Sequence, residues 1–221
     1  MNNDHPIQSL RDEVLLRVFR HPNGVWTPGD FVDLAGRDAI DKTLQRLAKS
    51  GDLRRIERGL YDLPSFNSLT SRQTVPDYRA VIEAVARRDQ ARFVIDGMTA
   101  ANELGLTTAV PAKIEVLVDA RLRSISLGTQ KIVFKHAAPS RLYWAGRPAM
   151  VIVQALHWLR DVMETPEERA KVEDKIQKYF GSKENGKRLV DDLRTGLSAL
   201  PIWMQEFLRV PLAKATQGNE S

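Results

Sequence analysis

The sequence predicts a mixed α+β protein with a helical N-terminal part, a mixed central part and a helical C-terminal end. Three observations predict this class. Apolar residues recur at helical spacing over residues 8–50, a short basic hairpin pattern covers 53–63, and alternating strand patterns precede helical ones after residue 77. With 221 residues, 43% of them apolar and 28% charged, the chain can bury a full core and has room for two domains.

The first 64 residues predict three helices. Helical spacing over residues 8–20 predicts the first. The pair Thr27-Pro28 is typical of a helix N-terminus and predicts a short second helix to about residue 34. A third helix is predicted over 37–50, because its apolar residues share one face and Gly51 is a typical C-terminal stop. The residues expected on that buried face are Ile40, Leu44 and Leu47.

A tight β-hairpin is predicted directly after the third helix. The run LRRIERGLYDL over residues 53–63 has strand character on both sides of a turn at Glu57-Arg58-Gly59. Three helices and a basic hairpin within about 60 residues are typical of a winged helix-turn-helix DNA-binding domain. We therefore expect such a domain over residues 1–64.

The rest of the chain predicts a linker and a second domain. Residues 65–76 are rich in Ser and Thr and lack periodicity, which is typical of a linker. Residues 77–221 are expected to form an α+β domain with C-terminal helices. Strands are predicted at 93–95, 114–118, 124–127 and 131–135, and helices at 77–88, 98–104, 149–162, 166–180, 186–199 and 201–208.

Composition excludes several kinds of chemistry. The chain has no cysteine, so it has no disulfide and no thiolate metal ligand, and its four histidines do not have the spacing of metal ligands. We expect no metal, no cofactor and no enzymatic activity. The N-terminus lacks a signal-peptide pattern, and no apolar run approaches the roughly 20 residues of a membrane span. The protein is therefore expected to be cytoplasmic, without membrane contact.

Positive charge is concentrated near the predicted hairpin. The net charge of the chain is +5, yet residues 1–64 carry ten basic and ten acidic side chains. Residues 42–58 hold six basic side chains against two acidic ones. Such a stripe is typical of a surface that contacts nucleic-acid phosphates.

The predicted DNA-binding residues fall into two groups. On the exposed face of the third helix, side chains that can contact base edges in the major groove are Arg37, Lys42, Gln45, Arg46 and Lys49. In the hairpin, Arg54, Arg55 and Arg58 are expected on phosphates or in the minor groove. Two alternatives remain open here: the helix face is an ordinary solvated surface, or the hairpin arginines pair with Asp52, Glu57 and Asp62.

Two segments resemble a known family. The run IDKTLQRLAKSGDLRRIERGLYDLP, Ile40–Pro64, resembles the N-terminal domain of AbiEi-type antitoxins of bacterial type IV toxin–antitoxin systems, whose signature is close to L-x-R-I-x-R-G-L-Y. The run IDGMTAANELGL, Ile95–Leu106, resembles that family's second domain, as do Val110-Pro111 and the strand pair ending at Phe134-Lys135. The resemblance covers roughly residues 8–160.

The resemblance implies a function for the whole chain. It implies an antitoxin that binds inverted repeats of double-stranded DNA in its own promoter and represses the operon. It also implies a nucleotidyltransferase-like toxin encoded beside it, which the antitoxin counters with or without a stable complex.

Two other functions remain open from the residues alone. One is a winged-helix transcriptional regulator whose C-terminal domain senses a ligand. The other is a metal-dependent nucleic-acid enzyme with Asp96 and Glu115 as metal ligands. The enzyme pattern is incomplete, since no lysine follows Glu115 at the second position and Lys113 precedes it instead.

Overall fold

A computed structural model of the chain describes residues 9–69, 71–182 and 185–217. Its α-helices are α1 Leu10–Arg20, α2 Arg37–Ser50, α3 Tyr78–Asp89, α4 Gly97–Glu103, α5 Met150–Leu159, α6 Pro166–Phe180, α7 Gly186–Gly196 and α8 Ile202–Gln217. Its strands are β1 Val25–Trp26, β2 Arg54–Glu57, β3 Leu60–Asp62, β4 Phe93–Ile95, β5 Lys113–Val118, β6 Ile125–Leu127 and β7 Gln130–His136. The predicted α+β class is confirmed.

The chain divides into two compact units. The first comprises residues 1–91 with 125–132, and the second comprises 92–124 with 133–221. Helix α3, which the sequence places at the start of the second domain, thus belongs to the first unit, where it packs on β1 and β3. The division differs in this respect from the expected boundaries at 64 and 77. The reason lies in long-range contacts of α3, which sequence periodicity does not reveal.

The first unit is built around α1, α2 and a small sheet. Ser9 caps α1 by accepting a hydrogen bond from the backbone N–H of Asp12, and Gly51 ends α2 in the left-handed conformation at φ +84°. One face of each helix enters a common core with the hairpin. The buried members of this core are Val14, Leu15, Val18, Phe31, Ile40, Leu44, Leu47, Leu53 and Tyr61.

The second predicted helix is a single 3-10 turn, Pro28–Phe31. The Asp30 carboxylate accepts hydrogen bonds from the N–H and the hydroxyl of Thr27 and so fixes the start of the turn. The carbonyl of Asp30 accepts a bond of 2.6 Å from the Arg17 guanidinium, and the N–H of Leu34 bonds to Phe31 instead. The regular turn therefore ends at Phe31 and not at about residue 34 as expected, because Arg17 occupies the Asp30 carbonyl that the N–H of Leu34 would reach in an α-helix.

The hairpin is confirmed. Strands β2 and β3 are antiparallel, with Arg55 opposite Tyr61, and the turn between them contains Gly59 at φ +72°, a conformation that favours glycine. Strand β1 pairs with the other edge of β3, so the sheet order is β1-β3-β2. The sheet places the basic hairpin at the edge of the first unit's core.

The other sheet has the order β4-β5-β7-β6.

In the second unit, Gly97 at the start of α4 lies against α5, and a Cβ there would come within 2.6 Å of the Gln154 carbonyl and the Trp158 Cβ. In the same unit, the Arg147 guanidinium lies 4.5 Å from the ring centroid of Trp144 and pairs with Asp192. No helix among the described residues is both long and apolar enough to cross a bilayer.

Candidate nucleic-acid interface

The outer face of α2 carries exposed polar and basic side chains. Ile40, Leu44 and Leu47 are fully buried, which fixes the rotation of the helix about its axis and confirms the predicted inner face. The exposed side chains on the remaining surface include Lys42, Gln45, Arg46 and Lys49. Amide and basic groups of this kind can donate to base edges and phosphates.

Arg37, at the first position of α2, is placed differently. Its Nε donates to the carboxylate of Asp41 one turn later at 3.0 Å, while its side chain remains 63% exposed. An exposed pair of this kind contributes little to stability and exchanges easily for another anion. Asp41 therefore partly neutralises Arg37, which separates it from the unpaired cations later in α2.

The two neighbouring arginines of β2, Arg54 and Arg55, lie on opposite faces of the strand. Along this strand Arg54 and Ile56 are half-buried, whereas Arg55 and Glu57 are exposed. Successive side chains of a strand point to opposite faces, so Arg54 and Arg55 cannot serve the same surface. The sequence already contains this alternation of strand faces. The concentration of basic residues over 42–58, taken alone, groups Arg54, Arg55 and Arg58 on one surface.

Arg54 is held inside the first unit. Its guanidinium bonds to both carboxylate oxygens of the buried Asp62, at 2.9 and 2.5 Å, and to the carbonyl of Thr74 at 2.5 Å. The side chain is 21% exposed. Arg54 thus joins β2 to β3 and to the segment after the hairpin, and its donors are directed at the chain itself rather than at a DNA phosphate.

The turn of the hairpin is fixed by two side chains. The carboxylate of Glu57 accepts a hydrogen bond of 3.1 Å from the backbone N–H of Arg58. The carbonyl of Arg58 accepts one of 2.8 Å from the guanidinium of Arg88 in α3. No sequence pattern marks Arg88, because only the folded chain brings α3 to the turn.

Five basic side chains of the predicted set form no ion pair with another residue that the structure describes. Within the described part of the chain, no ion pair involves Lys42, Arg46, Lys49, Arg55 or Arg58. Asp52, which lies between α2 and the hairpin in sequence, pairs with Arg11 at 2.9 Å. The Ser50 hydroxyl and then Arg11 hold the pKa of Asp52 below its usual value. The positive charge on α2 and the hairpin is thus left for an external anion.

The two carboxylates of the enzyme alternative have other partners. Asp96 caps α4, accepting hydrogen bonds from the N–H and hydroxyl of Thr99 and from the N–H of Glu115. Glu115 pairs with Lys113 and Lys135, each at 2.5 Å, and these two lysines lower its pKa. Among the described residues, no group of three or more His, Asp or Glu side chains is placed to hold a metal ion.

A groove of about 460 Å³ opens beside the hairpin in the first unit. Its walls include Arg54, Asp62 and Thr74, and the Arg54 guanidinium donates to the Asp62 carboxylate and to the Thr74 carbonyl. The ligand-sensing alternative predicts a site in the domain expected over 77–221; Asp77, Tyr78 and Gln130 of that range line this groove, but all three belong to the first compact unit.

Comparison with known proteins gives one family. The model of a family of unknown function, DUF6088, matches residues 16–186, which include α2, the hairpin and α3. No curated protein shows detectable similarity to the chain.

Proposed function

The chain belongs to the DUF6088 family, whose function is unknown, and we propose that it is a transcriptional repressor that binds duplex DNA and acts as an antitoxin. In this proposal the N-terminal unit is a winged helix-turn-helix. Helix α2 is the recognition helix and the β2–β3 hairpin is the wing.

The order of elements in the first unit supports the winged helix. Helix α1, strand β1, the 3-10 turn, helix α2 and the β2–β3 hairpin follow one another, with sheet order β1-β3-β2. In a helix-turn-helix the second helix enters the major groove, which corresponds to α2 here. The first helix of that motif is reduced to the single turn Pro28–Phe31, and Arg17 holds it in place.

The observation that carries the proposal is the unneutralised charge on α2 and the hairpin. Helix α6 offers a contrast, because it pairs Lys171 with Glu168 and Lys178 with Asp174. The basic side chains of α2 from Lys42 onward have no such partner in the described chain. A surface that keeps its cations unpaired can release counterions from DNA when it binds phosphates.

The proposed contacts divide by type. Lys42, Gln45 and Arg46 lie on the middle of α2 and would read base edges, while Lys49 follows at its end. Arg55 and Arg58 would hold phosphates or the minor groove beside the wing. Arg37, which Asp41 partly neutralises, would contribute less than the unpaired cations, and Arg54 is left out of the proposed contacts because Asp62 and Thr74 hold it.

The antitoxin part of the proposal rests on the resemblance of Ile40–Pro64 and Ile95–Leu106 to the AbiEi type. Under it, two copies of the chain occupy inverted repeats in the chain's own promoter. The partner is a nucleotidyltransferase-like toxin encoded beside it.

Sequence discrimination should depend on the middle of α2. Gln45→Ala should cost about 1–3 kcal/mol on the promoter site and little on random duplex, because its amide can pair with a base edge. Arg55→Ala should weaken binding to the promoter duplex and to the random duplex alike, since phosphates carry no sequence information. Titrations of each variant with promoter and random duplexes check this. Equal losses on both duplexes for Gln45→Ala would mean that α2 does not read bases.

Antitoxicity should be separable from repression. The double variant Arg55→Ala/Arg58→Ala should no longer repress a reporter gene placed behind the promoter. It should still protect cells that express the toxin encoded beside it. Countering a nucleotide-transferring toxin requires neither groove recognition nor a wing. Counting survivors with the wild-type chain, the double variant and Lys187→Ala as a surface-charge control tests this. Death with the double variant at normal protein levels would show that protection acts through DNA binding.

A further inference from the structure

We infer that Arg88 of α3 is a positioning residue that presents the hairpin arginine Arg58 to DNA, an inference that rests on the proposed DNA binding. The Nη1 of Arg88 donates to the carbonyl of Arg58 at 2.8 Å. The Cδ of Arg88 also lies 3.7 Å from the place a Cβ would take on Gly59, so the stem of Arg88 packs against the turn.

The two backbone groups of Arg58 are held while its side chain is left open. Glu57 accepts from its N–H, Arg88 donates to its carbonyl, and Gly59 follows with positive φ. Within the described part of the chain, the Arg58 guanidinium has no ion-pair partner, and the residue is exposed. A turn fixed before binding loses less conformational freedom when its side chain contacts a phosphate, which increases affinity.

Arg88 is itself held in position by its neighbour. Its guanidinium pairs with Asp89 at 2.7 Å, and both side chains are less than one-third exposed. The charge of Arg88 is therefore already balanced, which distinguishes it from the five unpaired cations of α2 and the hairpin. Its influence on DNA binding is expected to run through the Arg58 carbonyl rather than through a phosphate of its own.

Helix α3 is fastened to the rest of the first unit by the preceding residue. Arg87 donates to the carbonyl of Val25 in β1 at 3.0 Å and pairs with Asp30 of the 3-10 turn at 3.4 Å. Arg87 thus connects α3 to β1 and to the 3-10 turn, and Arg88 connects it to the turn of the hairpin. This makes α3 the support against which the hairpin turn is set.

A double-mutant cycle in the full-length chain tests the inference. Arg58→Ala, Arg88→Ala and the double variant are titrated with promoter duplex at low salt, with Glu83→Ala as a control on an exposed position of α3. Each single arginine variant should weaken binding about tenfold, and the double variant should be no weaker than Arg58→Ala, because coupled residues are not additive.

Each other outcome has a distinct meaning. If the losses of DNA affinity multiply in the double variant, Arg88 contacts DNA itself. If Arg88→Ala binds DNA like the wild type while Arg58→Ala binds more weakly, the turn needs no support from Arg88. Either result overturns the inference and leaves the proposed function standing. Unchanged binding for Arg58→Ala and for Lys42→Ala/Arg46→Ala would instead overturn the proposed function.

A second variant guards against a folding defect. Arg88→Met keeps the apolar stem beside Gly59 and removes only the donor, so its melting temperature should stay within about 4 °C of the wild type. The same loss of affinity in Arg88→Met then reports the missing hydrogen bond. Wild-type affinity in Arg88→Met would overturn the positioning role.

Discussion

Raising the salt concentration from about 50 to about 200 mM should weaken the binding of each protomer to duplex DNA by roughly 500-fold, since each phosphate neutralised contributes about −0.9 to the log–log slope. Five side chains of α2 and the hairpin form no ion pair among the described residues: Lys42, Arg46, Lys49, Arg55 and Arg58. A cation at a base edge also lies within the counterion atmosphere of the backbone, so if each of the five neutralises about one phosphate charge, from the groove or by direct contact, the slope per protomer is about −4.5. Arg37 and Arg54 are left out of this slope, because they form ion pairs with Asp41 and Asp62.

Fluorescence anisotropy over a salt series measures this slope. Each single alanine variant among the five should flatten it by about 0.9. Lys187→Ala, which removes a charge from α7 in the other unit, should leave the slope unchanged. A slope near zero for the wild type would exclude phosphate contacts as the source of affinity and would refute the proposed interface.

Arg54→Ala should destabilise the fold by about 3 kcal/mol, because it leaves the carboxylate of Asp62 buried without its partner. Asp62 is only 8% exposed, and Arg54 supplies hydrogen bonds to both of its oxygens. The variant also removes the donor to the Thr74 carbonyl, which ties the segment after the hairpin to β2.

The adjacent Arg55→Ala is the matched control on the same strand. Its side chain is exposed and unpaired in the described chain, so its unfolding free energy should change by no more than about 0.5 kcal/mol. Urea denaturation compares the two variants, and DNA titration should show the reverse order of effects. An Arg54→Ala variant of wild-type stability that binds DNA several-fold more weakly would return Arg54 to the phosphate contacts.

The sequence by itself determined the elements that depend on local chemistry. Helix α2 and its buried face follow from apolar spacing and from Gly51 as a stop, and the hairpin turn follows from Gly59. The α+β class and the strands near 93–95 and 113–118 were predictable for the same reason. Periodicity and turn residues act over a few positions, so a single sequence carries that information.

Only the tertiary structure decided which cations remain available. Arg54 and Arg55 are adjacent in sequence and chemically identical, yet one is held by Asp62 and Thr74 while the other is exposed. The reduction of the second helix to one turn depends on Arg17, and the support of the hairpin turn depends on Arg88, 30 positions away. These outcomes arise from hydrogen bonds between segments distant in sequence, which exist only once the chain has folded.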